Sequence, residues 1–198
     1  MGQIRDAGRT RQRILDAAAD AVCRLGSNVS LDVIAREAEV SKGGLMHHFP
    51  TRERLVLALV EGLYGDFEAA VTAAVPQDDD APGRFARAYI RVSFAGIEPA
   101  EDVSNSHLLL AQLIGVPAVR RYLEEEDTRW RAALVEDGLD SRMARIIIAA
   151  TEGAATEGFE LVDTEGLQLL ERDLLALTRV APDVMAILDA DITDPVRP

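Results

Sequence analysis

The apolar residues of this chain recur at intervals of three and four over most of its 198 residues. One short segment shows the spacing in Leu31, Ile34, Ala35 and Ala38, and a longer one repeats it every four residues from 55 to 71. Such spacing places the apolar side chains on one face of an α-helix. No segment shows a convincing alternation of apolar and polar residues, which strands would require. The sequence therefore predicts an all-α protein.

The amino-acid composition agrees with an all-α fold and also indicates the compartment in which the protein is found. Hydrophobic residues make up 48% of the chain but aromatic residues only 5%, so Ala, Leu, Val and Ile supply most of the core, as in packed helices. Cys23 is the single cysteine, which excludes an internal disulfide and fits a reducing compartment. No apolar run approaches the roughly 18–20 residues of a membrane span, and the charged N-terminus lacks a signal sequence. We expect a cytoplasmic protein.

Capping residues and breakers divide the chain into elements. Ser30, Ser41 and Thr51 stand where helix N-caps are expected, and Gly26 stands at a C-cap position. The predicted helices lie at about 10–25, 31–38, 42–49, 52–75, 84–96, 102–115, 117–137, 141–161 and 164–180, with a further short helix at 183–189 after Pro182. We interpret residues 1–52 as a head with three helices and residues 53–198 as a larger helical body.

Charge is divided between the same two parts. The formal net charge is −13, which would ordinarily argue against a nucleic-acid partner. Residues 1–52, however, contain eight basic and six acidic side chains, so this part carries +2 and residues 53–198 carry −15. Lys42 is the only lysine in the chain. The acidic total therefore does not exclude DNA, because the positive charge lies in the head.

Two short helices joined by the tight connection 39–41 describe a helix-turn-helix. The second helix is polar and carries Lys42, His47 and His48 outward. Gly43 and Gly44 would let its backbone approach the major groove closely. The N–H groups behind Ser30 and Ser41 can donate to phosphates, and Lys42 and Arg52 flank the recognition helix as cations.

The stretch SLDVIAREAEVSKGGLMHHFPTRERL, residues 30–55, resembles the signature of the TetR family of transcriptional regulators. The resemblance implies an all-α homodimer with a helix-turn-helix DNA-binding head and a C-terminal helical body for ligand binding and dimerisation. It also implies that positions at the starts of helices 2, 3 and 4 and along helix 3 contact DNA. In this chain these are Ser30, Ser41, Lys42, Gly43, Gly44, Met46, His47, His48 and Arg52.

Met46 departs from the family pattern, which usually has tyrosine at this position. Methionine cannot donate a hydrogen bond to phosphate. Any contact that Met46 makes with DNA would be apolar, for example with a thymine methyl group.

No catalytic or metal-binding pattern is present. His47 and His48 are adjacent, so their side chains point about 100° apart on a helix, and His107 and Cys23 are the only other imidazole or thiol groups. Glu152 and Glu157 could act as paired carboxylates, but no nucleophile–base pair, metal spacing or phosphate-binding loop accompanies them. We expect no enzymatic activity, no metal and no cofactor.

The two helices at about 141–161 and 164–180 are the predicted dimer interface. Leucines 167, 170, 174 and 177 form a short seam like that of a coiled coil, and Gly153 permits close approach on the preceding helix. The family resemblance implies that these helices pair with their symmetry mates in a four-helix bundle. An isologous two-fold interface also matches a palindromic operator.

Polar and aromatic residues on otherwise apolar faces of the body helices mark a candidate ligand site, since small-molecule pockets are mostly apolar with a few convergent polar groups. They are Phe67, Tyr89, His107, Gln112, Trp130, Glu152, Thr156 and Phe159. Together these features predict a ligand-responsive repressor that binds a palindromic operator as a homodimer and is released by a small-molecule effector. The alternatives are a TetR-like activator and an effector-free DNA-binding regulator.

Overall fold

The computed structural model describes residues 2–95, 101–157 and 164–192, without the side chains of 2–5, 101–105, 156–157 and 181–192. These residues form nine α-helices and no strand, which confirms the all-α prediction. The helices are α1 (Gly2–Leu25), α2 (Leu31–Glu37), α3 (Lys42–His48), α4 (Arg52–Ala74), α5 (Arg84–Ala95), α6 (Glu101–Leu113), α7 (Pro117–Glu136), α8 (Ser141–Glu157) and α9 (Thr164–Ile192). None of them is long and apolar enough to cross a membrane.

Two helices differ from the sequence-based prediction. α1 begins at Gly2 rather than near residue 10, and α9 continues from Thr164 to Ile192 instead of ending at 180. The predicted break before Pro182 is therefore wrong. Proline removes one N–H donor and disfavours helix in the residue before it, but a long helix can retain its other hydrogen bonds around that position.

The helices pack as two compact units. The first comprises Met1–Asp66 and Glu101–Glu124, and the second comprises Phe67–Ala100 and Glu125–Pro198. This division reflects packing and does not test the functional boundary at residues 52/53, which stays a prediction.

The core of the first unit comes from the inward faces of α1 to α4, together with α6 and the start of α7. α1 packs against α2 and α6, and α2 packs against α3. Ile14, Ile34, Leu45 and Leu55, one from each of the first four helices, are 0–2% exposed. Gly26 has φ +84° and ends α1, as predicted, since it adopts the left-handed conformation without steric cost. This core fixes α3 against the rest of the head.

In the second unit α5, α8 and α9 pack against one another. Arg87 on α5 is 2% exposed, and its guanidinium lies 2.7 Å from the Asp79 carboxylate. It also donates to the carbonyls of Ala81 and Pro82, at 3.2 and 3.0 Å. The buried charge is thus paired with a carboxylate and hydrogen-bonded, as a charge in a protein interior requires. It holds the loop between α4 and α5 against α5.

Candidate nucleic-acid interface

α2 and α3 form the predicted helix-turn-helix, and each begins with a serine cap. The Ser30 hydroxyl accepts a hydrogen bond from the N–H of Val33 at 3.3 Å, and the Ser41 hydroxyl accepts one from the N–H of Gly44 at 3.0 Å. Both capping predictions are confirmed. The caps satisfy one N–H group in each first turn and fix where α2 and α3 start.

The turn between the two helices is held from α1. Glu39 has φ +54°, a left-handed conformation that is uncommon for a residue with a side chain. The Arg13 guanidinium donates to the carbonyl of Ala38 at 2.6 Å and to that of Glu39 at 3.4 Å. The sequence pattern did not indicate this contact between α1 and the turn.

One face of α3 is free of the core. Leu45 and Phe49 are buried at 0% and 3% exposure, whereas Met46 is 43% exposed. Lys42, Gly43, Met46 and His47 are exposed, and Gly44 and His48 are half-buried. The exposed positions are spaced i, i+1, i+4 and i+5, which places them on one side of the helix. This side is the surface that a DNA groove could receive.

The surroundings of the two glycines of α3 differ in how much room they leave for a side chain. A Cβ atom at Gly44 would lie 3.2 Å from the Ser41 hydroxyl oxygen, which is tight contact with the capping group. A Cβ atom at Gly43 would meet no atom closer than that oxygen, at 4.0 Å. Packing within the described chain therefore accounts for glycine at 44 but not at 43. Close approach of the α3 backbone to a DNA groove would account for glycine at position 43.

Lys42 forms an ion pair that the sequence did not indicate. Its Nζ lies 2.9 Å from Oδ2 of Asp32 on α2, and the two side chains are 57% and 65% exposed. Asp32 also stands in the first turn of α2, where a negative charge is favourable. The only lysine of the chain thus has a carboxylate partner at the start of the recognition helix.

Arg52, the first residue of α4, reaches the loop between α1 and α2. Its guanidinium donates to the backbone carbonyls of Ser27 and Val29, the latter directly preceding the Ser30 cap. The predicted phosphate contact is not tested by this arrangement, because the guanidinium has further N–H donors. The geometry adds a positioning role that spacing along the chain did not indicate.

The other described cations of the head differ in their partners. Arg24 is paired with Glu37 at 2.6 Å, Arg9 with Asp6 at 3.3 Å, and Arg11 lies over the Phe49 ring at 5.0 Å. Arg36 is exposed, and its guanidinium makes no hydrogen bond or ion pair with the described residues. It lies four residues after Asp32 and thus on the same side of α2. We add Arg36 to the candidate DNA contacts, because its exposed guanidinium, unlike those of the paired arginines, has no partner among the described residues.

His47 and His48 contact each other edge to face, with ring centroids 5.6 Å apart. Among the described residues, no three His, Cys, Asp or Glu side chains group as a metal ion would require.

Comparison with known proteins places this head in a family. Residues 14–59 match the profile of bacterial regulatory proteins of the tetR family, and residues 83–179 match that of the tetracyclin repressor-like C-terminal domain. The chain belongs to the TetR family. Its N-terminal match contains all nine residues predicted to contact DNA. Membership and the helix-turn-helix together support a DNA-binding transcriptional regulator.

Solved structures share the TetR fold over most of the chain. The multidrug binding protein EbrR complexed with malachite green is 26% identical, with 84% of this chain and 96% of that chain covered and a TM-score of 0.69. A TetR-family member from Streptomyces coelicolor, SCO1917, is 27% identical, with coverages of 82% and 96% and a TM-score of 0.65. Comparison with curated proteins finds no match.

The second unit brings three of the predicted ligand residues together. Trp130 lies 5.2 Å from both Phe67 and Tyr89 between ring centroids, and Phe85, which was not predicted, stacks on it at 5.9 Å. Arg129 lies over the same ring at 5.3 Å. The Trp130 Nε1 atom is buried and has no hydrogen-bond partner among the described residues. We call Phe67, Phe85, Tyr89 and Trp130 the aromatic cluster.

Polar groups from α8 reach Tyr89 in this cluster. The hydroxyls of Tyr89 and Thr151 lie 3.4 Å apart, and Thr151 is 2% exposed. Burial raises the pKa of Tyr89 to about 12, so its hydroxyl is neutral at physiological pH. Burial and the nearby Asp127 carboxylate raise the pKa of Glu152. The sequence identified Glu152 but missed Thr151, which reads as an ordinary helix residue.

The remaining predicted ligand residues are not part of this group. His107 and Gln112 lie on α6 in the first unit, where both are half-buried and burial lowers the pKa of His107. The Thr156 side chain and all of Phe159 lie outside the described residues. A groove of about 720 Å³ in the second unit is lined instead by loop residues that include Asp79, Pro82 and Asp140.

Proposed function

We propose that this protein is a ligand-responsive transcriptional repressor that binds a palindromic operator as a homodimer and is released by a small-molecule effector. The exposed face of α3 is the observation that carries the DNA-binding part. It presents Lys42, Gly43, Met46 and His47 on a helix whose start is capped and whose opposite side is buried. A rigid, unobstructed helix of this kind is what major-groove recognition requires.

The residues of the head divide by chemistry into two groups. Met46 and His47 project from the exposed face of α3 and are suited to base edges, Met46 through apolar contact with a thymine methyl group. Lys42 and Arg36 are cations suited to phosphates, and the serine-capped starts of α2 and α3 supply backbone N–H donors. Gly44 and His48 are half-buried beside this face.

The proposed dimer uses α8 and α9. Ile146 on α8 and Leu169 on α9 are each 43% exposed, and Val180 on α9 is 44% exposed. The leucine seam predicted for this purpose packs differently, because Leu174 is buried in the core of its own unit and the other three leucines pack against that core. Exposed Ile146 and Leu169 are therefore our candidates for contact with a second copy.

The proposed effector site is the aromatic cluster with Thr151 and Glu152. The unpartnered donor at Trp130 Nε1 is a buried polar group that a ligand acceptor would satisfy. EbrR, which is similar to this chain, has been crystallised with malachite green and with imidazole. We propose that an aromatic molecule binds beside Trp130 and favours a conformation with lower affinity for DNA.

Enrichment of duplexes from a random DNA pool tests the central proposal. The full-length protein should enrich a palindrome with half-sites about one helical turn apart, and its affinity should fall steeply with salt. Arg36→Gln should reduce the salt slope by about 0.9, and Lys42→Met should reduce it by less than that, because Lys42 already has a carboxylate partner. Lack of any enriched palindrome at low salt would overturn the operator proposal.

Two further measurements separate the alternatives. In vitro transcription from a promoter carrying the enriched duplex distinguishes repression, which we expect, from activation. Calorimetric titration with malachite green tests the effector site, with Trp130→Leu as the variant and Arg142→Gln as the control, since Arg142 is outside the cluster. Heat of binding that is equal in both variants would contradict the proposed location.

A further inference from the structure

We propose that Asp32 is a specificity-determining residue, which acts as the internal counterion of Lys42 and suppresses binding to arbitrary DNA. The proposal rests on the DNA-binding function proposed above. Nothing in the sequence pattern pointed to it, because it depends on a contact between α2 and α3.

The pair joins the two helices of the helix-turn-helix at its exposed surface. Lys42 begins α3 and Asp32 is the second residue of α2, and their charged atoms are 2.9 Å apart. Asp32 is not the cap of its helix, since the Ser30 hydroxyl accepts from Val33. Both side chains are more than half exposed, and an ion pair with that exposure contributes little to folding. Capping therefore does not explain this carboxylate, and its favourable position in the first turn of α2 does not require the contact with Lys42.

A carboxylate at this position opposes generic DNA binding in two ways. It places a negative charge beside the residue that opens the recognition helix, where phosphates would approach. It also provides Lys42 with a counterion that belongs to the protein. A phosphate that recruits Lys42 must displace Asp32, so this lysine contributes less than a free lysine to the release of condensed ions.

The Asp32 carboxylate should weaken binding to a matched site less than it weakens binding to arbitrary DNA. Binding to arbitrary duplexes depends almost entirely on phosphate contacts, whereas a matched site adds base contacts that fix the position of α3. While Asp32 holds the ammonium group, Lys42 cannot move freely to the nearest phosphate of a mismatched duplex. Removal of the carboxylate should therefore strengthen binding to arbitrary DNA more than binding to the matched site.

The chain offers a matched control in Glu37. Its carboxylate pairs with Arg24 at 2.6 Å and also belongs to α2, so Glu37→Gln changes the net charge of the same helix by the same amount as Asp32→Asn. The Arg24–Glu37 pair does not involve the recognition helix. Comparing the two variants separates the local effect on Lys42 from the general effect of net charge.

The experiment measures the affinity of the full-length protein for a random-sequence duplex and for the enriched palindrome over a range of salt concentrations. We expect Asp32→Asn to steepen the salt slope on the random duplex by up to about 0.9 and to strengthen that binding by up to about eightfold at 0.1 M salt. The ratio of affinities for the two duplexes should fall. In a Lys42→Met background the same substitution should have a much smaller effect.

The outcomes are distinguishable. If the wild-type protein shows no salt-dependent binding to either duplex, the DNA-binding proposal fails and this inference fails with it. If the wild-type protein binds but Asp32→Asn changes neither slope nor ratio, or Glu37→Gln changes them equally, the role of Asp32 is overturned while DNA binding stands. Thermal unfolding of each variant verifies that the fold is intact.

Discussion

The Ser41 hydroxyl accepts a hydrogen bond from the N–H of Gly44 at 3.0 Å, and a Cβ atom added to that glycine would lie only 3.2 Å from the same oxygen. A Cβ atom at the neighbouring Gly43 would lie 4.0 Å from that oxygen, which is ordinary van der Waals contact. Substitution of the two adjacent glycines by alanine should therefore have different effects on the free energy of unfolding.

Gly43→Ala should leave the fold intact and raise the free energy of unfolding by up to about 1 kcal/mol, because alanine favours helix. Gly44→Ala should be less stable than Gly43→Ala by about 1 kcal/mol, because it disturbs the cap. Only Gly43→Ala combines full stability with weakened DNA binding. Chemical denaturation and duplex titration measure both quantities, and unchanged DNA affinity in Gly43→Ala would contradict close approach at this position.

Arg52→Lys retains the charge but loses the planar fork that serves the carbonyls of Ser27 and Val29. We expect the free energy of unfolding to fall by about 1–2 kcal/mol. Amide exchange in the loop 26–30 should accelerate in the absence of DNA. If stability and exchange are unchanged, the positioning role is wrong, and a lower salt slope in Arg52→Gln would then assign the residue to phosphate alone.

Glu39→Gly should stabilise the head although it removes a side chain. The left-handed conformation at φ +54° costs a non-glycine residue about 1 kcal/mol, and glycine adopts it freely. Glu37→Gly is the matched control, because it introduces glycine into the last turn of α2 and should destabilise by about 0.5–1 kcal/mol. Equal effects of the two substitutions on thermal unfolding would show that the turn is not strained.

Arg87→Met should destabilise the second unit by about 1–2 kcal/mol, because the carbonyls of Ala81 and Pro82 lose the donor that holds their loop. The hydrogen bonds from Arg87 lower the pKa of Asp79 below its usual value of 3.8. A lowered carboxyl pKa contributes stability that is present above the unfolded-state pKa and is lost as pH falls through the lower folded-state pKa.

Acid denaturation tests this second effect. The wild-type protein should lose stability below about pH 4 more steeply than Asp79→Asn, which has no carboxylate to protonate at this position. The same slope in both proteins would contradict an ionised Asp79 in the fold.

The raised pKa of Tyr89 predicts that the stability of the fold depends on pH in the alkaline range. Its pKa is raised to about 12 in the folded state, whereas an unfolded tyrosine titrates near 10. The unfolded chain therefore loses its phenolic proton first, and stability should fall as pH rises above about 10. Tyr89→Phe should reduce this fall. Absorbance titration of the folded protein at alkaline pH should show one of the three tyrosines ionising late.

Local features of the head were predictable because each depends on neighbours in sequence. The caps at Ser30 and Ser41 follow from residue type beside an apolar repeat, and the burial of Leu45 and Phe49 follows from their spacing of four. The surface of α3 could be identified from the same pattern. No contact with a distant part of the chain is needed for these inferences.

Long-range partners were not predictable in this way. Arg52 meets carbonyls more than twenty positions earlier, and a carbonyl acceptor has no sequence signature because every residue carries one. The leucine seam of α9 illustrates a related limit. Its spacing correctly indicated an apolar stripe, but spacing does not specify whether the same chain or a second copy covers that stripe.

Trp130 is the only tryptophan of the chain, and it lies in the aromatic cluster of the second unit. Its fluorescence therefore reports on that unit alone, with the blue-shifted emission of a buried indole. Far-ultraviolet circular dichroism instead reports on the helices of both units. If the two signals change at the same denaturant concentration, the units unfold together, and if they separate, the helix-turn-helix has a stability of its own.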